Sequence, residues 1–313
     1  MATRGSIGRT ARSNGSWRRG GLAGIATAGP VTGAARSSEG GAARARVSLA
    51  GMLVWGLIAL GVLVMAVPLA MTAYISLFRD AVVVFPPSGY ATSWYARILE
   101  FPRFGEALGT SLRISALATL GSLAVGIPAS LALVRYNFIG RGVLNVLLLS
   151  PLTVPGVVIG LSIYVLVVET EIATEAPLIG SDLVLVVAHL LITVPWVVRL
   201  CVANLVGLDR SVEEAAANLG ARPLTVLWRV TLPMMRQGIV AATLFAFIVS
   251  FENIEMTLFL IAPGQTTLPI SVLQYLEYRV DPLVAAVVMT QTLVIAGLLL
   301  LLDRYVKLSR IVS

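Results

Sequence analysis

The chain is poor in the residues on which most enzymes rely. It has one cysteine, Cys201, and one histidine, His189. Such a pair cannot build a disulfide framework, a zinc site or a Cys–His catalytic couple, so redox and zinc chemistry are excluded. The only lysine, Lys307, follows no Gly-rich loop, and without a Walker A phosphate cradle the chain is no ordinary P-loop ATPase by itself. Charge is scarce too. Of 313 residues, 12% are charged and 57% hydrophobic, whereas soluble domains carry roughly 25% charged residues. With a mean hydropathy of +0.89, this is the composition of a membrane protein. The formal net charge of +7 is concentrated in residues 1–46, which hold eight Arg and one Glu, while the rest of the chain carries 15 basic and 15 acidic residues. A neutral body offers no nucleic-acid surface.

A hydrocarbon core about 30 Å thick takes about 20 apolar residues at 1.5 Å rise each. Six stretches qualify: Ser48 to Phe78, Ile114 to Val134, Val143 to Val168, Leu183 to Leu208, Gln237 to Ala262 and Pro282 to Leu302. An all-α polytopic membrane protein is expected, with six transmembrane helices over residues 47–313. Basic loops resist translocation. With the N-terminus inside, the tail's eight Arg and ten more basic residues, among them Arg135, Arg141, Arg210, Arg222, Arg229 and Arg236, fall on the cytoplasmic side. The other side receives Arg79, Arg97, Arg103 and Arg279, and its third-to-fourth loop carries Glu169, Glu171, Glu175 and Asp182. Both termini are therefore expected in the cytoplasm.

Residues 1–46 are rich in Gly, Ala, Ser and Arg and lack a helical apolar period, so a disordered basic tail is expected, able to touch anionic lipid. Arg18-Arg19 before small residues looks faintly like a twin-arginine export signal, and the acid-poor composition like a transit peptide. A solvated tail or an overlong start is the plainer reading.

The connection Asp209 to Arg236 has a helical design of its own. Ser211 and Glu214 have the spacing of a capping box. Val212, Ala215, Ala216 and Leu219 fall at i, i+3, i+4 and i+7, one narrow apolar stripe, and Gly220 stands where a helix end wants a left-handed residue. Pro223 suits the start of a second helix, which Leu232-Pro233 ends or kinks. The pattern fits a docking element, and equally a helical hairpin lying on the membrane face.

Glu214-Ala215-Ala216, then Gly220, Val230 and Leu232-Pro233 at their spacing, resembles the EAA loop of ABC importer permeases, the inner-membrane component of binding-protein-dependent transport systems. Val230 replaces the usual Ile. Ser111-Leu112-Arg113 and the run Pro151-Leu152-Thr153-Val154-Pro155-Gly156, with Gly160 beyond, are similar to further stretches of that family. Gly156 and Gly160 also form a small-xxx-small face for close helix packing. The resemblance covers roughly residues 48–310. It implies a type I importer fold and a coupling helix in residues 209–236 that inserts into a groove on a cytoplasmic ABC ATPase dimer. It also implies a second homologous permease subunit, an external solute-binding protein and a place in the bacterial inner membrane. This chain would bind no cofactor, with ATP and Mg held by the partner ATPase.

Glu252 and Glu255, three apart, are expected to share a helix face in the fifth span. An acidic side chain at mid-membrane costs about 3 kcal/mol, so it should face a cavity, a partner or the water boundary. A cation path over Glu252, Asn253 and Glu255 is one reading; a span that simply ends near Phe251 is the other. The segment Ser250-Phe251-Glu252-Asn253, with Pro263-Gly264 and Thr267-Leu268-Pro269, is similar to spermidine/putrescine permeases, which usually have Ser-Phe-Asp-Glu here. A polyamine is therefore the expected solute, with ferric iron or another small organic solute as the alternative on the same architecture. A secondary transporter would show repeated halves with broken helices, and none is evident. An intramembrane enzyme would need a nucleophile and base, whereas His189, alone in an apolar span, reads as a packed histidine.

Overall fold

A computed structural model describes residues 49–306. The basic tail expected to be disordered and Lys307 lie outside the described residues. The chain divides into two units after Gly56, and the packing below is that of the second.

The elements are helical: α1 (Leu49–Ile75), α2 (Ser93–Arg97), α3 (Pro102–Arg135), α4 (Arg141–Leu149), α5 (Gly156–Thr174), α6 (Asp182–Val206), α7 (Ser211–Asn218), α8 (Pro223–Val226), α9 (Leu232–Met234), α10 (Arg236–Phe251), α11 (Thr257–Leu260), α12 (Leu268–Tyr278) and α13 (Pro282–Val306). Among the described residues, α1, α3, α5, α6 and α13 are long and apolar enough to cross a membrane. Pro223–Met234 and α10 pass the same test only as a pair bent by 70°, the form of a broken span or a re-entrant loop.

Three expected spans differ. The third does not run from Val143, because α4 gives way to a 3₁₀ turn over Ser150–Thr153 and α5 starts only at Gly156. Pro151 and Pro155 explain the break. Neither has an N–H to continue a helix, and Pro155 holds Val154 in extended backbone, φ −96° and ψ 132°. The fifth does not run to Ala262, because α10 stops at Phe251 and α11 resumes at Thr257. The second is longer than expected, starting at Pro102 rather than Ile114.

The packed centre is α3, α6 and α10. Val197, Cys201 and Leu205 of α6 meet Met235, Ala242 and Ala246 in one buried cluster, and Leu185 and Ala188 meet Ile114, Ile159, Met256 and Leu260 in another. Helices in lipid gain little from hydrophobic burial against each other, so small residues and shared hydroxyls set the approach. Gly126 of α3 admits Val197 so closely that an added Cβ would lie 2.6 Å from its Cγ1. Ser122 and Thr193 share a hydrogen bond of 2.5 Å that either hydroxyl can donate, and the one that accepts gives its own proton to a backbone carbonyl, Ala118 O for Ser122 or His189 O for Thr193. Such an interhelical bond contributes about 0.6 kcal/mol in a membrane. At the Asp182 end of α6, that carboxylate receives Arg113 at 2.9 Å and Gln265 Nε2 at 3.0 Å, which ties α3 to the loop before α12.

Candidate functional site

The first group of expected residues stands at the start of the bent pair. In α7 the capping box is not formed. Asp209 Oδ1 accepts from Ser211 N–H at 2.9 Å, and Glu214 turns to Arg210 at 3.2 Å. Asp209 and Ser211 are both cap-forming types two residues apart, yet α7 begins at Ser211 with Arg210 at its N-cap and no side-chain cap bond. The bond from Ser211 N–H holds the Asp209 carboxyl below the usual carboxylate range. The far end forms as its residues require. Gly220 has φ +86°, its N–H bonds Ala217 O at 2.9 Å, and Ala221 N–H reaches back to Ala216 O at 3.2 Å. This double closure needs a left-handed residue, which glycine adopts without strain.

Pro223 then opens α8, as expected. The next turn, Leu227–Thr231, widens to π geometry before α9. Pro233 accounts for it: the residue donates no N–H, and its ring excludes the carbonyl four residues back, that of Arg229. The stripe of α7 faces outward. Val212 and Leu219 are exposed, as are Leu224 and Trp228 of the second limb, and α7 has no buried residue. Glu214 and Ala215 are exposed and Ala216 is half-buried. Val230 and Pro233 join Val212, Arg229 and Arg236 along a groove of about 530 Å³. An apolar surface of this kind marks an interaction site.

One side of the hairpin is anchored. Arg135, the last residue of α3, meets Glu213 with Nε 3.0 Å from Oε2 and Nη2 donating to Oε1 at 3.2 Å. Both side chains are only 14% exposed. One hydrogen bond, from Nη2, joins the pair, and Nε is close to Oε2 without bonding it, so α7 is held to the end of a membrane helix by a shielded ion pair.

The second group stands at the other end of α10. At 1.5 Å per residue its 16 residues span about 24 Å, less than the roughly 30 Å hydrocarbon thickness, so α10 by itself falls short of a full crossing. Glu252 and Glu255 do not share a helix face: Glu252 ends α10 and Glu255 lies in the turn before α11. Asn253 makes the turn, its Oδ1 accepting from the N–H groups of Met256 and Thr257, both at 3.2 Å, and from Thr257 Oγ1 at 3.0 Å. A short polar side chain that bonds nearby backbone competes with helix continuation.

From the α5 side, Gly156 and Gly160 make room. An added Cβ at Gly160 would lie 2.8 Å from Met256 Cα and 3.0 Å from its carbonyl oxygen, and one at Gly156 would strike the Glu255 carboxylate. Opposite stands His189, 1% exposed. Its Nδ1 lies 2.7 Å from Ser250 Oγ and its Nε2 3.0 Å from Thr257 Oγ1. Since the Thr257 hydroxyl donates to Asn253, it accepts from Nε2–H, and Ser250 donates to Nδ1. Unwound backbone at membrane depth is tolerated where it is buried or lines a water-filled cavity. Glu252 and Glu255 are exposed there, and among the described residues neither is paired with a basic side chain. Glu252 accepts from Gln291 Nε2 of α13 at 3.1 Å.

The structure thus brings Glu214, Ala215, Ala216, Gly220, Val230, Leu232 and Pro233 into one hairpin and Glu252, Asn253 and Glu255 into one turn, with α10 between them. Sequence reasoning missed the parts that His189, Ser250, Thr257 and Gln291 play around the turn. The available signal was the placement of a lone polar ring in an apolar span.

Comparison with known proteins covers most of the described chain. A family profile described as "Binding-protein-dependent transport system inner membrane component" matches residues 122–309. The putrescine transport system permease protein PotI of Escherichia coli (strain K12) is 34% identical over 206 residues, 66% of this chain and 73% of that protein. The spermidine/putrescine transport system permease protein PotC of the same organism is 26% identical over 224 residues, 69% of this chain and 81% of that protein. Among solved structures, a bacterial ABC transporter involved in the import of the acidic polysaccharide alginate aligns with a TM-score of 0.63. It is 16% identical, over 83% of this chain and 97% of the matched one, a likeness of fold.

Proposed function

The chain belongs to the binding-protein-dependent transport system inner membrane component family, whose members are multi-pass transport subunits of ABC importers, and from that premise we propose that this permease passes a polyamine, with putrescine foremost. The observation that carries the reading is the pair of exposed carboxylates, Glu252 and Glu255, on the unwound stretch between α10 and α11, without basic partners among the described residues. Carboxylates so placed stabilise a passing ammonium group, and charged residues within membrane segments mark substrate pathways. The putrescine and spermidine/putrescine relatives point to the same cargo.

The remainder of the proposal follows from the hairpin. Its exposed apolar residues and Glu214-Ala215-Ala216 dock into a groove of a cytoplasmic ABC ATPase dimer, a helix-in-groove contact. ATP and Mg are held by that partner, and this chain binds neither. Closure of the ATPase pulls on α7, and a second homologous permease subunit completes the path between inward-open and outward-open states. An external solute-binding protein delivers the cargo, and both termini face the cytoplasm.

Uptake of labelled putrescine and spermidine into cells with and without the gene tests the cargo. Deletion is expected to abolish polyamine uptake, and the wild type but not Glu252→Gln with Glu255→Gln to restore it at equal membrane abundance. Unchanged polyamine uptake alongside loss of a ferric chelate or another small solute would refute the polyamine reading and keep the importer.

A further inference from the structure

The break between α10 and α11 has a support that the transport reading leaves unused. Ser250 sits in the last turn of α10 and Thr257 is the first residue of α11, seven residues on and across the unwound stretch. Both bond to one side chain on a third helix, His189, at 2.7 and 3.0 Å. Both ring nitrogens of a buried histidine need partners, and here the two partners come from segments that have no continuous helix between them. Its post is rigid. Ala188 and His189 are almost fully buried, and the His189 carbonyl accepts from Thr193, itself bonded to Ser122 of α3. Across the turn, Gly156 and Gly160 give shape without side-chain bonds. The donor order, Ser250 to His189 to Thr257 to Asn253, ends on the oxygen that also caps the turn.

We propose that His189 is a positioning residue: bridging Ser250 and Thr257, it holds the Glu252–Glu255 turn in the shape that meets the substrate. The inference rests on the reading of that turn as the translocation path. His189 touches no cargo in this scheme. It keeps the two carboxylates where an ammonium group passes, and without the bridge the turn opens locally while the packed helices around it stay in place.

The test uses the full chain in its own host, with an Ile254→Cys reporter. Ile254 lies in the turn and is exposed, and the one native cysteine, Cys201, is fully buried and silent to a membrane-impermeant maleimide. Loss of both hydrogen bonds is expected to raise the labelling rate roughly tenfold. This should hold in His189→Phe and, independently, in Ser250→Ala with Thr257→Val, with reduced putrescine uptake at equal membrane abundance in both. The triple variant should go no further than the Ser250→Ala with Thr257→Val pair, since His189→Phe then has no bridge left to remove. Where His189→Phe fails to insert, the Ser250→Ala with Thr257→Val pair decides.

Labelling at the wild-type rate in the pair, or an additive triple variant, overturns the proposal. The Glu252→Gln with Glu255→Gln variant separates it from the path reading. If that variant transports normally while the bridge variants label fast, the path fails and the bridge stands; if it does not transport and labelling stays flat, the bridge alone fails.

Discussion

At Gly160 a single hydrogen atom decides whether the turn can sit where it does. Any side chain there meets Met256 backbone, which cannot swing away as a flexible side chain would. Gly160→Val is expected to cost about 1–3 kcal/mol of overpacking and to displace the turn, lowering putrescine uptake more than membrane abundance. Gly109→Ala, with open space around it, should leave both unchanged; immunoblotted membranes and labelled uptake read the difference. The small-xxx-small face was legible in the sequence, but its partner was not. Residues 252–256 sat inside an apolar window that read as one helix, and the breaker is Asn253, which acts by bonding forward to Met256 and Thr257 rather than by being Pro or Gly. Likewise a lone histidine offers no spacing to a partner along the chain, so its two hydroxyl partners emerge only once α6 and α10 are packed.

The helical hairpin was the most legible element. Gly220 ends α7 and Pro223 starts α8 because each choice is dictated by backbone alone, φ > 0 in one case and a missing donor in the other. The cap was less so, since Asp209 and Ser211 compete for the same role and local pattern does not rank them. Gly220→Val forces a β-branched residue into left-handed backbone, a strain of at least about 1–2 kcal/mol. Membranes carrying it are expected to keep ATP hydrolysis while losing uptake; unimpaired uptake would count against coupling through this bend. The anchor gives a stricter test, because Arg135 and Glu213 are far apart in sequence and no local pattern pairs them. Arg135→Glu or Glu213→Arg alone leaves a shielded charge unpaired, at roughly 3 kcal/mol, and should reduce uptake per ATP hydrolysed. The exchange of both residues should recover most of it, whereas a hairpin held by other means would show no recovery.

On the scale of the whole molecule, five of the six expected spans are helices long and apolar enough to cross a membrane among the described residues, and the other is the bent pair; apolar length made them legible, since lipid leaves a chain few alternatives to the helix. The breaks within them were less legible: hydropathy averages over the two prolines before α5, while an end of the fifth span near Phe251, where α10 stops, was one of two readings the residues left open. If the exposed stripe of α7 is a docking surface, the chain extracted in mild detergent is expected to bring down an ABC ATPase and a second permease in fixed stoichiometry; recovery of this chain alone after gentle extraction would argue for an ATP-independent carrier. The turn at the end of α10 has a further consequence. Asn253, Met256 and Thr257 build its frame, through a side-chain oxygen, a backbone held against glycine and a hydroxyl, while Glu252, Ile254 and Glu255 point their side chains away from that task. Frame and lining are interleaved over these six residues, so on the proposed path a change at 252 or 255 is expected to alter what passes without rebuilding the turn, and one scaffold would be retargeted to a new cargo by two letters of its sequence.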